Sequence, residues 1–176
     1  MSYTIPAQTR IGHVHLKVSN LEKSLAFYQG ILGFEITQKY GTQAAFISAG
    51  GYHHHIGLNT WHSKNAGPAP EKYPGLYHTA ILYPTRKDLA VALQRLMDAK
   101  YPLTGASDHG VSEALYLDDP DGNGVELYWD KPNDNCPTHG GSPAVRAGTS
   151  PCRTRPAHCS GQIGRASCRE RVLWYV

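Results

Sequence analysis

The first 135 residues contain no cysteine. Disulfide bridges and thiolate metal knots are therefore excluded from any fold built there. No run of 18 apolar residues occurs, so no membrane-spanning helix is expected. A basic-then-apolar leader is missing at the N-terminus, which makes a cytoplasmic protein the default expectation. One-sided charge is missing too. The net charge of +3 arises in residues 133–176, where six Arg face two acids. The preceding 132 residues carry 11 basic and 12 acidic side chains, so neither a nucleic-acid nor a membrane partner is implied.

The cysteines that do exist, Cys136, Cys152, Cys159 and Cys168, all fall in that tail. Their spacings include no Cys-x-x-Cys pair, which argues against a zinc knot. The tail is rich in Gly, Pro, Ser, Thr and Arg and reads as disordered. Its run Ile163-Gly-Arg-Ala-Ser-Cys-Arg-Glu-Arg-Val172 resembles the translation of a sequencing-library adapter. Residues 133–176 are accordingly set apart from the fold, as candidate non-native sequence from about Cys136 onward.

The rest of the chain, residues 9–132, repeats one pattern twice. Module one covers residues 10–61 and reads as a strand (11–18), a helix (21–32) and strands near 34–40, 43–49 and 52–59. A Pro- and Gly-rich connector follows. Module two covers residues 76–131 and reads as a strand (76–83), a helix (86–99), a strand near 102–105 and strands at 112–118 and 124–130. Each helix is preceded by a Ser/Thr-x-x-Asp/Glu spacing, Ser19 with Glu22 and Thr85 with Asp88. Apolar residues then recur at helical period: Leu21, Leu25, Tyr28, Ile31 and Leu32 in one, Leu89, Ala92, Leu93, Leu96 and Met97 in the other. The expected class is α+β, two tandem βαβββ modules. Asp119-Pro-Asp-Gly-Asn-Gly124 has the spacing of a calcium loop, but its flanks alternate like strands rather than helices, so it reads as a hairpin turn.

Three residues stand out against this frame. His13 opens the first strand, His78 opens its counterpart in module two, and Glu126 lies in Val-Glu-Leu-Tyr-Trp of the last strand. Strand parity puts Val14, Leu16 and Val18 on one face and His13, His15 and Lys17 on the other. In the last strand Val125, Leu127 and Trp129 oppose Glu126 and Tyr128. All three polar residues thus project away from the helix-packed side. Two imidazoles and a carboxylate in that arrangement form a facial triad suited to non-haem Fe(II), with positions left for substrate and O₂.

The motifs Gly-His-Val-His-Leu-Lys-Val, Ser-Leu-Ala-Phe-Tyr, Ile-Leu-Gly-Phe and Asp-Pro-Asp-Gly-Asn make residues 9–132 similar to the vicinal oxygen chelate superfamily, which includes glyoxalases, bleomycin-resistance proteins and extradiol ring-cleaving dioxygenases. Three further segments resemble catechol 2,3-dioxygenase-type proteins: Tyr77-His-Thr79, Tyr52-His-His-His-Ile-Gly-Leu-Asn-Thr-Trp61 and His109-Gly-Val-Ser-Glu-Ala-Leu-Tyr116. The resemblance implies an Fe(II)-dependent dioxygenase, with Mn(II) an alternative metal, acting on a catechol-type diol with O₂. It implies metal ligands His13, His78 and Glu126, an acid–base histidine in the His53–His55 run, and second-sphere roles for His109 and Tyr116. Alignment of His-Ile-Gly-Leu favours His54 as the acid–base residue. Parity favours His55, because His54 would share a face with Ile56 and Leu58. His15 and His62 are assigned no role.

The competing readings are a glyoxalase-like isomerase, a fosfomycin-resistance-type transferase and a non-catalytic binder. Glyoxalases supply a second Glu from the fourth strand of module one, where this chain offers histidines and no acid. Small-molecule partners are expected. A homo-oligomer is compatible with the sequence, and the number of copies is open.

Overall fold

A computed structural model describes residues 2–70 and 72–132 of the chain. The cysteine-bearing tail of the sequence analysis lies outside those residues. Two four-stranded sheets carry the described part. The first has order β1-β4-β3-β2, built from β1 (Val14–Lys17), β2 (Glu35–Tyr40), β3 (Ala44–Ser48) and β4 (Ile56–Asn59). The second has order β5-β8-β7-β6, built from β5 (Thr79–Leu82), β6 (Gly105–Asp108), β7 (Ser112–Asp118) and β8 (Gly124–Asp130). In each sheet the first strand pairs parallel with the last, and the other pairings are antiparallel. The α+β class and the repeated βαβββ plan therefore hold.

The registers make the two copies directly comparable. Val14 lies opposite Ile56 in β1–β4, and Thr79 lies opposite Val125 in β5–β8. Parity along the strands is as the sequence indicates. Leu16 and Val18 are buried at one end, and Val125 and Leu127 at the other. They join Leu58, Ile47, Leu96 and Leu117 in one core shared by both modules. Each fully buried Leu contributes about 1.5–3 kcal/mol relative to exposure.

The helices differ from expectation in one respect. α1 (Leu21–Leu25) gives way to a π-helical stretch, Ala26–Ile31, instead of continuing as α-helix to residue 32. The wider turn, seen in the Leu32 N–H to Phe27 carbonyl bond, lets two successive aromatics face inward. Phe27 and Tyr28 are each 1 % exposed. The N-cap is Asn20, whose side chain accepts from Lys23 N–H, not Ser19; the Ser19 N–H is already committed to Asp121 Oδ2 at 3.0 Å. In α2 (Arg86–Asp98) the cap is Thr85, as its spacing with Asp88 indicated, and Leu89, Ala92 and Leu96 are the buried stripe. Met97, at the edge of that stripe, is 56 % exposed. Module two's strand near 102–105 forms instead at Gly105–Asp108. Among the described residues no helix is long and apolar enough to cross a membrane.

Polar contacts lock the modules together. Tyr28 Oη donates to Asp119 Oδ2 at 3.0 Å, and both residues are buried. Asp119 Oδ1 also accepts from the N–H groups of Asp121 and Asn123, both at 2.9 Å, so one carboxylate holds the β7–β8 turn and module one's helix. Burial, reinforced by the Asp119 charge, raises the Tyr28 hydroxyl pKa far above its ordinary value, so the phenol stays a donor. From α2, Arg95 donates to the carbonyls of Ile31 (2.6 Å) and Gly30 (2.8 Å), capping the end of the first helix.

Asp119→Ala should cost about 3 kcal/mol, because it strands a buried hydroxyl and frees two turn amides. Tyr28→Phe, which removes the donor cleanly, should cost about 1 kcal/mol. Urea unfolding monitored by circular dichroism measures both. Equal costs for the two variants would show that Asp119 does not organise the turn.

Candidate metal centre and active site

Glu126 lies on β8 directly across from Tyr116 on β7, and one residue beyond the Thr79–Val125 pair. That register aligns four side chains into one hydrogen-bonded line. His109 Nε2 lies 2.8 Å from Tyr116 Oη. Tyr116 Oη donates to Glu126 Oε1 at 3.2 Å, which leaves its lone pairs to accept from His109. Glu126 Oε2 lies 2.9 Å from His78 Nε2. Burial raises the Tyr116 pKa above its ordinary value, with the Glu126 charge and hydrogen bond acting in the same direction, so the phenol remains protonated.

His78 immediately precedes β5 and sits over Gly124, the first residue of β8. A Cβ at Gly124 would meet the Tyr77 carbonyl and come within 3.1 Å of the His78 Cβ. The glycine thus lets His78 descend onto the sheet beside Glu126.

His13 immediately precedes β1, at the position of the repeat that His78 holds in module two. Its ring lies 4.5 Å from the ring of His54. Among the described residues no three His, Cys, Asp or Glu side chains stand together as a metal requires. His78 and Glu126 converge in the structure and His13 does not join them. The donor chemistry suits a divalent cation at the first two, since the imidazole nitrogen and the carboxylate oxygen face one another. His13 belongs instead to the wall of a cleft of about 320 Å³, which is also lined by Ile11, His55, Thr79, Ala80 and Leu82. The cleft lies between β1 and β5, each the edge strand of its sheet.

The three consecutive histidines separate by environment. His54 faces His13 and Phe46, whose ring is 5.0 Å away. His53 Nδ1 lies 2.8 Å from His54 Nδ1. His55 Nδ1 instead takes Ser48 Oγ at 2.9 Å and the Ala49 N–H at 3.3 Å. Strand alternation would set His55 towards the metal only if the strand ran from residue 52. β4 begins only at Ile56, so alternation does not govern His54. Desolvation lowers the His54 pKa below 6.5, and His13, the largest of the neighbouring imidazole contributions, lowers it further.

In common register the two modules differ at one strand-paired position. Gly57 occupies in module one the place of Glu126, and His15 the place of Ala80. The His15 ring covers Gly57 so closely that a Cβ there would lie 2.9 Å from it. In module two the small Ala80 leaves that space to the Glu126 carboxylate. Aligning the two modules residue by residue is the signal that would have revealed this.

A family profile described as Glyoxalase/Bleomycin resistance protein/Dioxygenase superfamily matches residues 10–127. The chain belongs to this superfamily. The catechol-2,3-dioxygenase of Bacillus subtilis (strain 168) is 43% identical over 130 residues, which cover 73% of this chain and 44% of that protein. The chain thus spans less than half the length of that relative. Biphenyl-2,3-diol 1,2-dioxygenase 3 of Rhodococcus globerulus is 32% identical over 124 residues, 69% of this chain and 63% of that one. A glyoxalase/dioxygenase from Nostoc punctiforme shares the superfamily fold, with a TM-score of 0.60 at 19% identity, over 75% of this chain and 99% of that chain.

Gly124→Ala should cost about 1–3 kcal/mol, because its obstacle is backbone and cannot swing aside. The melting temperature of the full chain reads this out. An unchanged value would mean that His78 and β8 are not in the close contact described.

Proposed function

We propose that the chain is a ring-opening extradiol dioxygenase acting on catechol-type vicinal diols with O₂. The observation that carries this reading is the line from His109 through Tyr116 and Glu126 to His78. It supplies two candidate metal donors, and the Tyr116 hydroxyl, itself held by His109, orients the carboxylate as metal ligands require. The kinship with diol dioxygenases supports the same class.

His78 and Glu126 are the residues that would hold divalent iron, or manganese, and His13, which stands in the cleft wall, is the candidate third ligand. Such a metal, when bound, offers adjacent positions to both diol oxygens and to O₂. The remaining work belongs to protein groups. His54, neutral at pH 7, is the group to accept a proton from a diol hydroxyl and return it later. Tyr116 Oη, kept protonated, has one proton: it donates to Glu126 Oε1 in the free site and would turn to the deprotonated substrate oxygen once the diol binds, with His109 holding the phenol oxygen in place. A glyoxalase-like isomerisation is less well served, since the place for a second carboxylate in module one is Gly57 under the His15 ring.

His78→Ala should abolish both retention of Fe(II) and ring fission. Metal analysis after dialysis and the absorbance of the yellow ring-fission product measure these, and full occupancy with turnover would defeat the ligand assignment. His54→Ala should lower turnover by about 10²–10⁴ while metal stays bound, as for a lost proton shuttle. Because its pKa is lowered, the neutral base persists into mild acid. The acidic limb of kcat/KM should therefore lie below pH 6.5. A limb above that value would assign the base elsewhere.

A further inference from the structure

Around β1 the side chains divide cleanly. Leu16 and Val18 are buried towards the helices, whereas His13, His15 and Lys17 are exposed on the opposite face. The register extends that face across the sheet, with His15 beside Gly57 and Phe46, and Lys17 beside Asn59. The His15 ring lies 5.8 Å from both Phe46 and Trp61. The result is a face with two aromatic rings about the His15 imidazole, and Lys17 follows two residues along on the same side of β1.

Carboxylates are scarce around it. Residues 10–61 contain two, Glu22 and Glu35, and from module two Asp121 reaches the Ser19 N–H, past the end of β1. Glu22 lies in the first turn of α1, and Glu35 on β2, at the far edge of the sheet from β1. The corresponding face of the second sheet has the opposite character. Alternation along β7 and β8 puts Asp118, Glu126 and Asp130 on one side with Tyr116 and Tyr128.

We propose that this face of the first sheet is a subsite for an anionic substituent, so that the substrate is an aromatic vicinal diol bearing a carboxylate side chain. The inference rests on the dioxygenase reading and names its substrate class. The substituent lies along Phe46 and Trp61, and its carboxylate is taken by Lys17 Nζ and a ring N–H of His15. An ammonium and an N–H donor together give charge-assisted hydrogen bonds, the strong kind. On the other sheet Asp118 and Asp130, which take no part in the proposed metal site, disfavour the same group, so the diol lies towards His78 and Glu126 and the carboxylate towards Lys17. A neutral alkyl substituent would desolvate both donors without pairing them, and sites discriminate most strongly by such unpaired groups.

Two catechols of similar size test this with the full chain: 3,4-dihydroxyphenylacetate and the neutral 4-methylcatechol. Calorimetry measures equilibrium binding, and ring fission is followed by absorbance in parallel, for the unaltered protein, Lys17→Gln and His15→Gln. The acid should bind at least tenfold more tightly than the methyl compound. Lys17→Gln should reduce that preference about tenfold and His15→Gln less, with 4-methylcatechol bound within twofold of the unaltered protein. Equal binding of the two probes, no binding of the acid, or a preference untouched by Lys17→Gln overturns the subsite, whether or not ring fission occurs. A preference that Lys17→Gln removes, with neither probe cleaved, leaves the anion subsite standing and overturns the dioxygenase reading instead.

Discussion

The Asp119 carboxylate is the contact on which the arrangement depends. It accepts Tyr28 Oη from the helical segment of module one and two N–H groups of its own turn. The turn joins β7 to β8, and those strands carry Tyr116 and Glu126 opposite each other. A buried carboxylate without donors would cost several kcal/mol, so the turn, the helix and the shared core form together or not at all. The same contact sets how module one approaches module two, and hence how β1 and β5 flank the cleft.

The two modules have one plan and unequal chemistry. At matching positions, module two has Ala80 and Glu126 where module one has His15 and Gly57. Volume is exchanged across the strand pair: a small residue on one strand admits a large one on the other. In module two the exchange leaves a carboxylate beside His78. In module one it leaves an imidazole lying over bare backbone, between Phe46 and Trp61. Carboxylate chemistry is thereby confined to one half, and the other half is lined by aromatics and hydrogen-bond donors.

Much of this was legible in the residues. The helix-facing stripes, the βαβββ repeat, the Thr85 cap and the hairpin at Asp119 follow from periodicity and turn chemistry, which act over a few residues. The pairing of Tyr116 with Glu126 across a hairpin was legible too, because ten intervening residues leave few registers open. What was not legible involves partners far apart in the chain. Ser19 looked like a cap because its link to Asp121 spans 102 positions. Tyr28 looked like an ordinary apolar helix position, since nothing local announces the Asp119 partner or the π-helical turn.

The sequence by itself determined the fold class, the inward and outward faces of the strands, and the residue types available for chemistry, because hydrophobic alternation and capping are local constraints. Only the tertiary structure decided which of those residues meet. It joined His109, Tyr116, Glu126 and His78 in one line, set His13 against His54 across the cleft from β5, and turned His54 and His55 to different partners. The reason is that strand register and the packing of one module on the other are fixed by the shared core and by Asp119. Those contacts close loops of tens of residues, and no local pattern specifies them.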